Sequence, residues 1–387
     1  MGGRIGFTEG GLVHAVRSFA PLAGAYDVTV VCPNVAHVEN AVRDVSIDGV
    51  RIVCPEPPLS VRWMRAGEMS AAERPLRVLL NWPSIVAGYV SQSRLLARSG
   101  VDVVMANGIV ASYLAGRIRG PWATVAVIHH LYHDPWTTGA ASSPRGMLVR
   151  MERLLLRHLH ADAVAVVNPS VASRLVECGY PEEKIAFVGN GVEPAKFAFS
   201  AQHEDDSLVF VGRLRASKGV ESLLDVFAIV RRRRPRAVLH IVGDGLLRES
   251  LQSRAASLGL ADGVVFHGFV DEETKVRLLQ RAGVYLSASR FEGFDIPVVE
   301  AMATGAVPVV SDIPAHRFIF QGRNVGCLTA SVEDMAAAAL RLMEEPGLRQ
   351  SLSTAGRALT EEMWTWDRVA ERYRALIDGL LSSRRSR

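Results

Sequence analysis

Two groups of charged residues in this sequence could do chemistry. Glu292 and Glu300 lie eight residues apart in Ser289-Arg-Phe-Glu-Gly-Phe-Asp-Ile-Pro-Val-Val-Glu-Ala-Met-Ala-Thr-Gly305. Paired carboxylates can share acid–base work, and a single one near a helix start can act as a cap. Arg213 and Lys218 lie five residues apart in Val209-Phe-Val-Gly-Arg213-Leu-Arg-Ala-Ser-Lys218-Gly219. A guanidinium grips two phosphate oxygens in a planar fork, and an ammonium acts as a movable point charge. Together they suit a diphosphate and could neutralise the charge that develops as it departs. The plain alternative is two exposed loop cations.

Weaker signals surround these two. His129-His130-Leu-Tyr-His133-Asp134 is dense in titratable groups. Its spacing does not match a recognised zinc pattern, so sugar binding or acid–base work by one histidine fits better than a metal. Thr8-Glu-Gly10-Gly11-Leu12 offers either backbone N–H groups to a ligand or a tight turn. Val242-Gly243-Asp-Gly245 lacks the third glycine of a dinucleotide fingerprint, with Arg248 in its place. Tight-turn packing is therefore the first reading there, and a ligand-facing backbone at Gly243 the second. In Phe266-His-Gly-Phe269-Val270, Phe269 could border a base.

These motifs need elements that hold them at strand ends. Gly283–Ser289 has strand composition, Pro297 suits a first helical turn, and Gly305 is a natural helix stop. Strand, glycine-bearing loop, helix and strand make a βαβ unit. The same alternation runs through most of the chain, with strands expected at 27–32, 50–53, 101–106, 124–129, 163–167, 185–188, 208–212, 237–242 and 264–267. Helices are expected between them, notably at 145–159, 170–178, 220–233, 246–258, 272–282, 331–344 and 366–381. Continuous β-branched runs between helices predict parallel sheets covered on both faces.

At 387 residues the chain exceeds one ordinary core, and two domains of roughly 150–200 residues are expected. The polar, pattern-free segment 198–207 reads as the linker. It divides an N-terminal domain at 1–197 from a C-terminal domain at 208–363. A polar turn at 360–365 would lead into a closing helix and tail at 364–387. With no apolar run near the ~20 residues of a membrane span and no signal-peptide pattern, a cytoplasmic protein is expected. Cys32, Cys54, Cys178 and Cys327 are scattered and read as reduced thiols. Lysine occurs only at 184, 196, 218 and 275, so nearly all positive charge is arginine, as in GC-rich bacterial genomes. The run Arg231–Arg234 reads as a solvated helix end. A net charge of +4 is small for this length and gives no reason to expect a nucleic-acid partner.

Taken together, these residues resemble the retaining, GT-B-fold glycosyltransferases of the large family 4 group, also called glycosyl transferases group 1. The most specific likeness is the E-x7-E pattern followed by Glu300-Ala-Met-Ala-Thr-Gly-Ala-Val-Pro-Val-Val310. Next come Val211-Gly-Arg-Leu-Arg-Ala-Ser-Lys-Gly219, Val242-Gly-Asp-Gly245 and Asn190-Gly-Val192. The resemblance implies two Rossmann-like doubly wound domains facing a cleft, with a C-terminal helix crossing back to the N-terminal domain. It also implies hexosyl transfer from a nucleotide-diphosphate sugar of UDP or GDP type, without a metal or other cofactor. By that resemblance Glu300 holds the ribose, Glu292 the donor hexose, and Arg213 and Lys218 the pyrophosphate. Backbone amides of Gly293, Phe294, Asp295 and Ile296 assist. Gly11 approaches the phosphates and acceptor, and His129 stands near the transferred sugar. Two positions depart from the family pattern: Asp295, where glycine is frequent, and Glu193, where aspartate is usual. A carboxylate at 295 must turn away from phosphate or read a sugar hydroxyl or amine.

Three rivals have distinct signatures. A glycosidase would use the paired glutamates but leaves Arg213 and Lys218 unexplained. A nucleotide-sugar epimerase could share the two-domain plan. An inactive nucleotide-sugar binder would need no such complete set. The acceptor would be a glycan, a lipid carrier or a small natural product. Trp63, Arg65 and Trp82 suggest either peripheral contact with the inner face of a membrane or an ordinary variable cleft rim, the preferred reading.

Overall fold

A computed structural model describes residues 28–31, 44–47, 50–53, 103–109, 112–113, 116–117, 122–129, 131 and 144–385. The chain divides into two compact units, Met1–Gly189 with Val369–Arg387, and Asn190–Arg368.

In the first unit the described strands are β1 (Val28–Val31), β2 (Asp44–Ile47), β3 (Val50–Val53), β4 (Val103–Asn107), β5 (Ala123–Ile128), β6 (Ala163–Val166) and β7 (Ile185–Phe187). They form one sheet in the order β2-β3-β1-β4-β5-β6-β7. Only the β2–β3 pair is antiparallel. The runs Ala-Thr-Val-Ala-Val-Ile of β5 and Ala-Val-Ala-Val of β6 are buried at every position, as a parallel sheet covered on both faces requires. Helix α1 (Pro144–Arg157) precedes β6, and α2 (Pro169–Glu177) follows it. Asn168 starts α2: its Oδ1 accepts from the Ser170 and Val171 amides at 2.6 and 3.3 Å, with Pro169 in the first turn.

The second unit is a wholly parallel six-stranded sheet. Its strands are β8 (Glu204–Val211), β9 (Val238–Val242), β10 (Val264–Gly268), β11 (Ala282–Ser287), β12 (Val307–Ser311) and β13 (Cys327–Thr329), in the order β10-β9-β8-β11-β12-β13. Numbered within the unit this is 3-2-1-4-5-6, the Rossmann order, which reverses between β8 and β11. The connections are α3 (Val220–Arg233), α4 (Arg248–Ser257), α5 (Glu272–Arg281), α6 (Ile296–Thr304) and α7 (Pro314–Phe320), followed by α8 (Val332–Glu344) and α9 (Pro346–Met363). Leu223, Phe227 and Val230 of α3 pack with Phe210, Leu239, Ile241, Val284 and Leu286 of the sheet in one core. The loops after β8 and β11 lie at the reversal, where such sheets bind ligands.

The structure corrects the sequence reading in three places. Residues 204–207 of the expected linker extend β8, because each acidic residue that lengthens the strand finds an arginine. Glu204 pairs with Arg281, Asp205 with Arg349 and Asp206 with Arg234, all at 2.7 Å. The expected polar turn at 360–365 is mostly helix, since α9 runs to Met363. Trp364 then breaks the helix, because its buried indole drops onto the core and donates to the Ile319 carbonyl at 2.9 Å. Finally α7, α9, β2 and β13 are elements the pattern did not suggest.

The last helix, α10 (Trp366–Arg385), belongs from Val369 onward to the first unit. There Arg372 Nη1 donates to the Val188 carbonyl at 2.9 Å, and Arg384 pairs with Asp162 at 2.9 Å. At the boundary the second unit's two ends are bonded to each other. The Val192 amide donates to the Trp364 carbonyl at 2.8 Å, and the Trp366 amide returns to the Val192 carbonyl at 3.3 Å. Among the described residues no helix is long and apolar enough to cross a membrane.

Trp364 packs edge-on against Phe294, with ring centroids 5.3 Å apart, and lies 5.4 Å from Phe318. Trp364→Ala is therefore expected to lower stability by about 3–5 kcal/mol, read as a fall in the urea midpoint. A midpoint unchanged within error would show that this aromatic cluster does not anchor α9.

Candidate active site

The chain leaves β8 through Gly212 and Arg213 and makes one tight turn, Ala216–Lys218, before α3. Gly219 ends that turn at φ 62°, and a Cβ there would lie 2.0 Å from the Ala288 carbonyl oxygen. Only glycine allows so close an approach at this backbone angle. The Arg290 amide donates to the Ser217 carbonyl at 2.9 Å, so the loops after β8 and β11 are stitched together. That contact delivers Lys218 to the carboxylates of the second loop.

Lys218 is buried, and its Nζ lies 2.5 Å from Glu292 Oε1 and 3.2 Å from Asp295 Oδ1. Ser289 Oγ donates to Glu292 Oε1 at 2.7 Å. On Asp295, Oδ2 accepts from Ser287 Oγ at 3.2 Å and from His316 Nε2 at 2.9 Å. The other ring nitrogen of His316, Nδ1, faces the Ser311 carbonyl at 2.7 Å. Burial pulls the Lys218 pKa down, but the Asp295 and Glu292 carboxylates outweigh it and the net shift is upward. For Asp295, burial raises the pKa, but Lys218 and then His316 bring it well below the usual carboxylate range. Glu292 shifts upward: burial and the Asp295 charge exceed the pull of Lys218. The site therefore holds one strongly ionised carboxylate and one that gains a proton more readily.

Asp295 is also unusual in its backbone, with φ 75° and ψ 66° at the N-cap of α6. This left-handed region costs a non-glycine residue roughly 1–2 kcal/mol, so glycine would be the relaxed choice. Its carboxylate does not cap α6; it turns inward, with the side chain 1% exposed. The amide end of α6 is left uncapped by any side chain.

Glu300 stands one turn into α6, buried, with Lys275 Nζ of α5 at 2.7 Å from Oε1. Burial raises its pKa against the opposing pull of Lys275. Tyr285 of β11 lies close enough to feel Asp295, Glu292 and Glu300, and burial with those charges raises its hydroxyl pKa well above the ordinary value. Phe294 is buried against Trp364 and Phe318, so its side chain anchors the loop. Gly293 and Ile296 flank it, both half-buried.

The remaining sequence candidates fall elsewhere. Arg213 is exposed. Gly243 sits at φ 127°, where a Cβ would meet the Gly212 carbonyl oxygen at 2.0 Å, and its amide donates to the Gly268 carbonyl at 2.8 Å. Close packing of three strand ends accounts for that glycine. Phe269 is 91% exposed at the end of β10. His129, half-buried, follows β5 in the first unit. Gly11, His130, His133, Asp134, Trp63, Arg65 and Trp82 lie outside the described residues. Among the described residues, no three or more His, Cys, Asp or Glu are placed to hold a metal ion.

Sequence reasoning missed His316, Lys275, Ser287 and Ser289. His316 follows β12 in Asp312-Ile-Pro-Ala-His316, but its partner Asp295 lies 21 residues away and no local pattern links the two. Lys275 could have been singled out as one of only four lysines.

Two Rossmann-like parallel-sheet units, the second with its charged residues gathered where the strand order reverses, define the GT-B class. Sucrose-phosphate synthase from Thermosynechococcus elongatus shares the fold, with a TM-score of 0.75 at 19% identity over 96% of this chain and 93% of that one. So does Anabaena Alr3699/HepE, solved in complex with UDP and glucose, with a TM-score of 0.71 at 14% identity over 97% and 98%. Residues 192–359 match the model of the glycosyl transferases group 1, and residues 10–196 that of glycosyltransferase family 4. The chain belongs to this glycosyltransferase family. Mannosylfructose-phosphate synthase of Agrobacterium fabrum is 30% identical over 255 residues, covering 59% of this chain and 56% of the relative. The chain thus spans little more than half the length of that curated relative.

The Asp295 shift gives a pH prediction. A carboxylate with a lowered folded pKa adds stability above its ordinary value, here 3.8, and loses it as pH falls through the folded pKa. The stability margin of the wild type over Asp295→Asn should be constant above about pH 5 and shrink below about pH 4. Urea unfolding across that range measures it, and a margin independent of pH would show that Asp295 is not held ionised.

Proposed function

We propose that this glycosyltransferase moves a hexosyl group from a nucleotide-diphosphate sugar of UDP or GDP type to an acceptor hydroxyl, with retention at the anomeric carbon. The observation that carries this reading is Lys218. It is a buried ammonium held at the strand-order reversal by Glu292 and Asp295, beside the uncapped amide end of α6. An ammonium has three N–H donors. The two carboxylates engage two, and the third is available to a phosphate oxygen. Exposed Arg213, on the same loop, adds a planar fork for the same group. Glu292 then meets hydroxyls of the donor hexose, and Glu300, steadied by Lys275, meets the ribose. On family resemblance alone, His129 is assigned to the transferred sugar and Gly11 to the phosphates and acceptor.

In the reaction the bond from the anomeric carbon to the diphosphate oxygen breaks, and its electron pair leaves with the diphosphate. Lys218 and Arg213 stabilise that charge as it develops. The acceptor oxygen bonds to the same face of the anomeric carbon and gives its proton to a departing phosphate oxygen. In this reading two cations meet the leaving group and take the part a divalent metal would otherwise play, so the transfer is metal-independent. The complex of HepE with UDP and glucose, and the mannosylfructose-phosphate synthase relative, support the nucleotide-sugar class. The acceptor class comprises glycans, lipid carriers and small molecules.

Two measurements test the reading. In thermal unfolding with UDP-, GDP- and dTDP-sugars, the true donor should stabilise the protein by about 2.7 kcal/mol at a hundredfold excess over Kd. The shift should persist in chelator. No shift with any nucleotide sugar would refute the donor class, and a shift abolished by chelator would refute metal independence. With the donor in hand, Lys218→Ala should lower kcat by roughly 10²–10³-fold, and an unchanged kcat would remove Lys218 from the mechanism.

A further inference from the structure

Only two described non-glycine residues have positive φ, Asp295 and Gln321, and of these Asp295 alone belongs to the site. A residue kept in an unfavourable backbone region at a site points to a role for its side chain. Its carboxylate is gripped from three segments: Lys218 after β8, Ser287 at the end of β11, and His316 near the start of α7. His316 is itself fully buried, and its Nδ1 is fixed by the Ser311 carbonyl at 2.7 Å. A continuous line of restraints therefore runs from the end of β12 through His316 and Asp295 to the Lys218 ammonium. None of these contacts requires His316 or the Asp295 carboxylate to touch a substrate.

The line bears on Lys218 through Asp295. With Glu292 as its only carboxylate partner, at 2.5 Å, the ammonium would be free to swing about that one contact. Asp295 draws it from a second side, at 3.2 Å, and so fixes its direction. Both ring nitrogens of His316 face oxygens, Ser311 on one side and Asp295 on the other, so the ring holds the Asp295 carboxylate in place.

We propose that His316 and Asp295 are positioning residues that hold the Lys218 ammonium in line for the donor diphosphate, a role that rests on the donor reading above. Lys218 is the group that meets the ligand; the pair acts only through it. Such a device replaces the freedom of a glycine at position 295 with a fixed carboxylate.

Three measurements decide the matter. Crystal structures of His316→Asn and Asp295→Gly come first; glycine suits the φ at 295, so this variant keeps the backbone relaxed. In His316→Asn, Lys218 Nζ should leave Asp295 Oδ1 and move onto Glu292. An unmoved Lys218 overturns the proposal whether or not the donor reading survives. Second, with the donor found by thermal shift, each variant should lose roughly 10- to 100-fold in kcat while donor KM changes less than about threefold. Unchanged kcat, or an equal loss appearing wholly in KM, overturns it. Third, in a Lys218→Ala background the same substitutions should cost no further kcat, since the pair has nothing left to position. A full additional loss there would assign His316 and Asp295 a merely structural part and reject the proposal. Failure of the wild type to bind any nucleotide sugar would defeat the donor reading alone, because the crystal structures test the positioning separately.

Discussion

The second unit depends on keeping a buried ammonium paired. Lys218, Glu292 and Asp295 are all nearly removed from water, and an uncompensated charge at that depth would cost several kcal/mol. Two carboxylates around one ammonium over-compensate it, and the surplus shows in their opposite responses, with Asp295 held ionised and Glu292 shifted toward protonation. Ser287, Ser289 and His316 supply donors that let both carboxylates stay. Their placement ties the ends of β8, β11 and β12 to one another, so the geometry of the site and the cohesion of the sheet edge are one problem with one solution.

That solution requires the loops after β8 and β11 to touch. Gly219 permits the touch by having no side chain where the Ala288 carbonyl passes. The Arg290–Ser217 backbone bond secures it. Phe294, packed on Trp364 and Phe318, fixes the second loop from below. Glycine, backbone and aromatic contacts thus set the positions, and the charges act only after these are set. A topological fact, the reversal of strand order between β8 and β11, provides the room.

Much of this was legible in the sequence because it is local. Alternating apolar runs and Gly/Pro punctuation placed α3 at 220–233 and α6 after Pro297, and the E-x7-E spacing marked the carboxylates and the family. What escaped is what local patterns do not encode. The extension of β8 through Glu204-Asp-Asp206 relies on arginines 28 to 144 residues away. Trp364 ends α9 because of rings at 294 and 318. His316 and Asp295 meet across 21 residues, and neither residue type announces the other. That Asp295 stands where glycine is frequent could be read from the sequence, but where its carboxylate turns depends on where Lys218, Ser287 and His316 lie.

The bonds between Val192 and the Trp364–Trp366 segment bring the entrance and the exit of the second unit side by side. A body of chain whose two ends meet can be spliced into a host, or lifted out of it, without stretching either connection. Residues 190–368 thus have the form of an insertable cassette, closed at its own neck. The sequence before it and the helix after it, from Val369, make up the host. Geometrically, a module of this kind can be exchanged between hosts, with the junction at Gly191, pressed against the Trp366 backbone, as the seam to preserve.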